Sequence, residues 1–173
     1  MLENTKTKNI YNQYRELSAA VVNYYRRHGV LPGDDLNVAK RGLPAGTHPF
    51  AAGNGNGYVD GEGILNCRTP HSTIEACQLL YQIRQVGLIE GHDAQAPIHA
   101  YGGRVGVNRS SNSINGTNLP AVFCFENLSN KTAQALETKF DDGVFNTGTI
   151  RGNANYANGP IQRIDATRTC MFS

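Results

Sequence analysis

Few groups of residues in this chain are spaced for chemistry. The run Gly53-Asn54-Gly55-Asn56-Gly57-Tyr58-Val59-Asp60-Gly61-Glu62 collects Asn54, Asn56, Asp60 and Glu62, oxygen-bearing side chains of the kind that hold calcium. The spacing departs from the EF-hand order, with only two carboxylates and with Tyr58 where another ligand is wanted. Turn chemistry accounts for the same residues, because Asn and Gly tolerate left-handed backbone. Turn chemistry is the expected reading and no cofactor is expected, calcium in this loop being the alternative. His28, His48, His71, His92 and His99 are scattered, with neither HExxH nor a helical His pair. There is no GxSxG elbow, and no Lys-Ser/Thr follows the Gly-rich run to complete a phosphate loop. Asp34-Asp35 and Asp141-Asp142 are adjacent acidic pairs. Neighbours in a turn are expected to point apart into water, not across a substrate as a glycosidase pair would. The expectation is a protein without catalysis.

The elements that must position these residues follow from periodicity. Ile10, Tyr14, Leu17, Val21, Tyr24 and His28 form an apolar stripe at alternating steps of 4 and 3, which predicts one amphipathic helix over 4–28. Arg15, Glu16, Arg26 and Arg27 fall on its polar side, Gly29 stops it, and Pro32 follows. Residues 29–66 read as a long connection containing the turn Leu31-Pro32-Gly33-Asp34-Asp35. Ser72-Thr73-Ile74-Glu75 has the form of a capping box for a second helix near 73–86, with Ala76, Leu79, Leu80, Ile83 and Val86 as its stripe. Ile98–Val107 and Leu119–Phe125 read as strands. Leu128–Phe140 reads as a short helix capped by Ser129, 141–160 as loop, and Ile161–Phe172 as a last strand. The order predicts a single α+β domain over 1–173, with a loop-rich region at 29–97 and the sheet within 98–173.

Cys67, Cys77, Cys124 and Cys170 allow three pairings, and no CxxC or nearby His suggests zinc. The local solution, Cys67–Cys77 with Cys124–Cys170, joins two predicted strands through its second bridge. Such bridges stabilise by roughly 2–4 kcal/mol each and need an oxidising compartment; four reduced thiols in a cytosolic protein is the competing reading. The 173-residue chain has 19 Gly and 18 Asn, 17% charged residues and a net charge of only +2. A coiled coil, a collagen-like rod and a charged disordered tail are excluded, and nucleic acid is not an expected partner. No apolar run is long enough for a membrane span.

Three stretches, collinear over about residues 20–160, resemble the type IV pilin-like and type II secretion pseudopilin family. They are Val30-Leu31-Pro32-Gly33-Asp34-Asp35 after the first helix; Gly53-Asn54-Gly55-Asn56-Gly57 followed by Glu75, Leu79-Leu80 and Gly87-Leu88-Ile89-Glu90-Gly91; and Asp141-Asp142-Gly143 with Thr147-Gly148-Thr149-Ile150-Arg151-Gly152. The resemblance implies a long helix packed on an antiparallel sheet, with a C-terminal disulfide-bounded region. It implies a structural subunit of a pilus or secretion filament, assembling with other pilin subunits by helix packing through the stripe-bearing helix of Ile10, Tyr14, Leu17, Val21 and Tyr24. It places the protein in an extracellular filament or the periplasm, anchored in the inner membrane before assembly. The family's basic leader, processing site and apolar helix half are not in this sequence, so the expectation is a soluble, monomeric head whose native helix was cut at Leu2 or Glu3. The resemblance also offers a second calcium loop at Asp141 and Asp142. The rival expectation is a secreted carbohydrate-, calcium- or DNA-binding module such as an adhesin-type minor pilin. Arg104, Arg109, Arg151, Arg163 and Arg168 would be its basic patch, with Tyr101 and Tyr156 as stacking platforms.

Overall fold

The structure, a computed structural model, describes residues 2–42, 51–108, 119–145 and 147–152, and the backbone of 169–171. Its first element is helix α1 (Leu2–His28), two residues longer at its start than the periodicity predicts. Ile10, Tyr14, Leu17 and Tyr24 of the stripe are buried, together with Thr7 and Ala20, while Val21 and His28 are half-buried. The Gly29 N–H closes the helix on the Tyr25 carbonyl at 2.7 Å, and Arg26 and Arg27 put positive charge at the negative end of its dipole. Among the described residues no helix is long and apolar enough to cross a membrane.

Among the described residues, four short strands form one antiparallel sheet: β1 (Val105–Asn108), β2 (Val122–Phe125), β3 (Ile150–Gly152) and β4 (Thr169–Met171), in the order β1-β2-β4-β3. The fold is therefore α+β, with an N-terminal helix and a small antiparallel sheet. Alternation divides β2 between two environments. Phe123 and Phe125 join Val105, Val107 and Ile150 in the core that also holds Ile10, Tyr14, Leu17 and Tyr24 of α1. The Tyr14 ring meets Phe123 edge-on, centroids 6.3 Å apart. Val122 and Cys124 pack instead with Ile64. Ile64 belongs to α2 (Gly63–Asn66), which rests on β1 through backbone contact: a Cβ on Gly63 would lie 2.4 Å from the Val107 nitrogen. Helix α3 (Glu75–Gln85) is buried along nearly its whole length, and α4 (Asn130–Phe140) stacks Phe140 on Tyr11 of α1 at 4.0 Å.

Several expectations meet the structure directly. Ser129 caps α4, its Oγ accepting the Thr132 N–H at 3.1 Å. Cys67 and Cys77 form the local disulfide, tying the end of α2 to α3. Cys124 is disulfide-bonded as well, and its cross-strand partner in the ladder is Cys170, whose side chain lies outside the described residues. Others need correction. The capping box at Ser72 does not form: α3 begins at Glu75 after an extended Ile74 without a side-chain cap, because the Glu75 carboxylate is drawn to the Gly-rich loop. The connection 29–66 contains a 3₁₀ turn at Val38–Arg41 and α2. Of Ile98–Val107 only the end is strand, with a single bridge pairing Ile98 to Arg104. Strand β3 lies in the stretch read as loop. Most of the predicted last strand, 161–168 and 172, lies outside the described residues.

Candidate functional site

The Gly-rich loop is organised around two carboxylates from outside it. The Asn56 and Gly57 N–H groups donate to Asp34 at 3.1 and 2.8 Å, and those of Asn54 and Asp60 donate to Glu75 at 2.8 and 2.9 Å. Gly53 makes the approach to the Asp34 backbone feasible, since a Cβ there would stand 2.3 Å from the Asp34 Cα. Asn54 and Asn56 both turn their amide N–H groups to one Asp60 oxygen, at 2.9 and 2.8 Å. Their side-chain oxygens accept the backbone N–H of Asn56 and of Tyr58. Asn54, Asn56 and Asp60 are thus brought together, but they spend their polar atoms on one another and the backbone. The loop is a nest of N–H donors closed on Asp34, Glu75 and its own Asp60, opposite in polarity to a calcium cradle. Glu62 enters a backbone bridge with Asn108. Burial raises the Glu75 pKa even though the Asp60 and Asn54 N–H groups favour the anion.

Asp34 and Asp35 point apart, as neighbours in a turn should, but both are buried, contrary to expectation. The turn is covered because Asp35 faces α1. Its carboxylate accepts the Tyr24 hydroxyl and Arg41 Nε, both at 3.0 Å, and the Asn37 N–H at 2.8 Å. Burial alone would raise its pKa; the donors from Arg41, Asn37 and Tyr24 outweigh that and hold it below the usual carboxylate value. This is a structural knot at the exit of α1.

Among the described residues the histidines do not converge. His99 is a core residue whose Nε2 lies 2.6 Å from the Glu126 carbonyl while Nδ1 accepts the Tyr101 N–H at 3.2 Å, so the neutral Nε2–H tautomer fits. His48 lies outside the described residues, as do Arg109, Arg163, Arg168 and Tyr156 of the expected basic patch. Arg104 is paired with Glu126 at 3.4 Å. Tyr101 clamps the start of α1, its hydroxyl 3.1 Å from the Glu3 carboxylate and its ring under Lys6, so it is not a free stacking platform. Arg151 donates from Nε to the Gly148 carbonyl at 3.1 Å.

A different group stands out at the end of α4. Glu137, Asp141 and Asp142 bring one carboxylate oxygen each within 4.8 Å of one another. Glu137 is fully buried, and neither of its oxygens has a hydrogen-bond partner. Burial first, then the charges of Asp141 and Asp142, push its pKa up to about 8, against a smaller opposing pull from Arg151. Asp141 Oδ2 accepts the Ile150 N–H at 2.7 Å. Asp142 is exposed and accepts from Thr147 Oγ1 at 2.5 Å and the Val144 N–H at 2.8 Å, bonds that lower its pKa. The motif Asp141-Asp142-Gly143 is plain in the sequence, and Glu137 carries a fainter signal. Its signal was present: 133, 136, 137 and 140 share one helical face, so an acid at 137 interrupts an apolar stripe. Against known proteins the chain stands apart, for no family model, no curated protein and no solved structure matches it.

Proposed function

We propose that this chain is the head domain of a structural, non-catalytic subunit of a pilin-type filament, a pilus or related secretion fibre. The observation that carries the reading is α1. Its stripe is spent inside the head, against Phe123 of the sheet and beside α3 and α4. Ile10, Tyr14, Leu17 and Tyr24 are therefore core residues, and contacts between subunits fall to the other side, where Arg15, Glu16, Val22, Tyr25, Arg26 and Arg27 are exposed. An open groove of about 710 Å³, lined by Val21, Val22, Tyr25, Leu31, Pro120 and Phe123 among others, runs beside that face and suits apolar side chains of a neighbour. The collinear motifs of the pilin-like resemblance and the disulfides, which belong to an oxidising compartment, agree with it. Heterologous contacts that do not close generate a fibre, while exposed ion pairs supply only about 0–1 kcal/mol each. The expected result for this chain alone in sedimentation velocity is a monomer. Immunogold labelling and shearing of cells that make the protein test the reading. Label along filaments and recovery in the sheared fibre fraction are expected; protein found only in fibre-free fractions refutes it.

A further inference from the structure

We propose that Asn54 is a self-modification site, its side-chain amide lost by spontaneous deamidation to aspartate and isoaspartate, while Asn56 in the same loop is protected. Both asparagines are followed by glycine, and all four residues are exposed. In an Asn-Gly pair the glycine nitrogen can reach the asparagine side chain, because glycine has no Cβ to shield it. The two side chains are also held alike. Each Oδ1 accepts the N–H of the residue two positions on, that of Asn56 at 2.9 Å and that of Tyr58 at 2.8 Å, and each amide donates to the same Asp60 oxygen. A donor on Oδ1 stabilises the negative charge that develops there when a nucleophile adds to Cγ. As electrophiles the two residues are matched.

They differ at the nucleophile. The Gly57 N–H donates to the Asp34 carboxylate at 2.8 Å, whereas among the described residues the Gly55 N–H has no hydrogen-bond partner. Attack requires that nitrogen to give up its proton. At Gly57 this would break a bond to a buried carboxylate and leave two negative charges face to face. At Gly55 the proton passes to solvent hydroxide without that cost. The Gly55 nitrogen then adds to Asn54 Cγ, the Cγ–Nδ2 bond breaks, and ammonia leaves with a proton from water; a succinimide remains. Water opens the ring at either carbonyl. Cleavage of the new Cγ–N bond gives aspartate, and cleavage of the original peptide C–N bond gives isoaspartate. One amide and one water become a carboxylate and an ammonium ion, with no oxidant or cofactor. The product places an acidic oxygen where Asn54 offers Asp60 a donor, in a loop already tied to Glu75, so modification loosens the loop. This inference stands apart from the filament reading and survives its failure.

Peptide mapping of the folded 173-residue chain, aged in mildly alkaline buffer, tests it. After reduction, trypsin releases residues 42–68 as one peptide, and the other Asn-Gly pairs of the sequence, at 115–116 and 158–159, fall in different ones. Fragmentation of the 42–68 peptide separates conversion at 54 from conversion at 56. Asn54 is expected to convert at least about tenfold faster than Asn56, because only Asn56 must first break a bond to a charged acceptor. In chain unfolded by guanidinium the two rates are expected to converge. Asp34→Ala is expected to bring Asn56 up to the rate of Asn54; if that variant does not fold, the guanidinium arm makes the same comparison. Asn54→Asp, which carries the charge of the product, is expected to melt below wild type at neutral pH. Conversion at Asn56 as fast as at Asn54 in the folded chain overturns the proposal. So does an intact Asn54 after a period that converts the unfolded chain, or an unchanged preference in folded Asp34→Ala. Equal melting of Asn54→Asp and wild type overturns the loosening of the loop.

Discussion

Replacing Asp35 by Asn tests whether the knot at the exit of α1 holds the head together. The wild-type carboxylate takes three donors, from Tyr24, Arg41 and the Asn37 backbone. An amide keeps one oxygen and is best turned to retain the Asn37 N–H, which leaves its NH₂ facing Arg41 Nε. Tyr24 can rotate its hydroxyl to accept, but the charged bond to Arg41 is lost. A hydrogen bond to a charged group contributes about 1.5–3 kcal/mol, and Arg41, one-quarter exposed, recovers part of its solvation. The expected cost is roughly 2–3 kcal/mol, a drop in melting temperature of roughly 4–12 °C for a domain this size. The sign with pH follows from the depressed pKa of Asp35 in the folded state. Its stabilisation is complete above the unfolded carboxylate value, about 3.9, and fades as pH falls through the lower folded value. Urea unfolding of wild type and Asp35→Asn from neutral pH to below pH 3 should show a gap that is constant and then closes. A gap under about 0.5 kcal/mol at pH 7, or one that stays constant into acid, refutes the reasoning.

Removing the Cys67–Cys77 bridge as the double Ser variant should cost about 2.7 kcal/mol by loop-closure entropy over its separation of 10 residues, read as a lower urea midpoint; an unchanged midpoint contradicts it. His99 is neutral when folded, its pKa lowered chiefly by burial although the Glu126 carbonyl favours the charged ring. Its contribution is present above about pH 6.5 and is lost as pH falls below that value, and His99→Gln should flatten this part of the stability curve; parallel curves would count against it.

Local rules carried the sequence reading where neighbours along the chain decide the outcome. The α1 stripe, the Ser129 cap, the Cys67–Cys77 bridge and the strand at 122–125 depend on residues a few positions apart, and each was legible. Glu75 was not, because its carboxylate had two sets of orphan donors within reach: those of its own helix start, and the loop N–H groups of Asn54 and Asp60 from 15 or more residues upstream. The second set prevailed once Gly53 let that loop lie flat on Asp34. Burial of Asp34 and Asp35 was hidden for the same reason, since Pro-Gly-Asp-Asp spells an exposed turn until α1 and the loop close over it. The acidic cluster was half legible: the adjacent aspartates announced themselves, but their meeting with Glu137 needed the chain to reverse after α4.

The position of β4 has a consequence for how the molecule is made. Of the described strands it is the last to be synthesised, yet it lies between β2 and β3 and is hydrogen-bonded to both. While the ribosome still holds residues 169–171, the two older strands each present a naked edge, the kind of surface on which unfinished chains stick together. A nonsense codon just upstream would thus remove the middle of the sheet rather than trim a tail, and cells that overproduce the protein should accumulate such fragments as insoluble material.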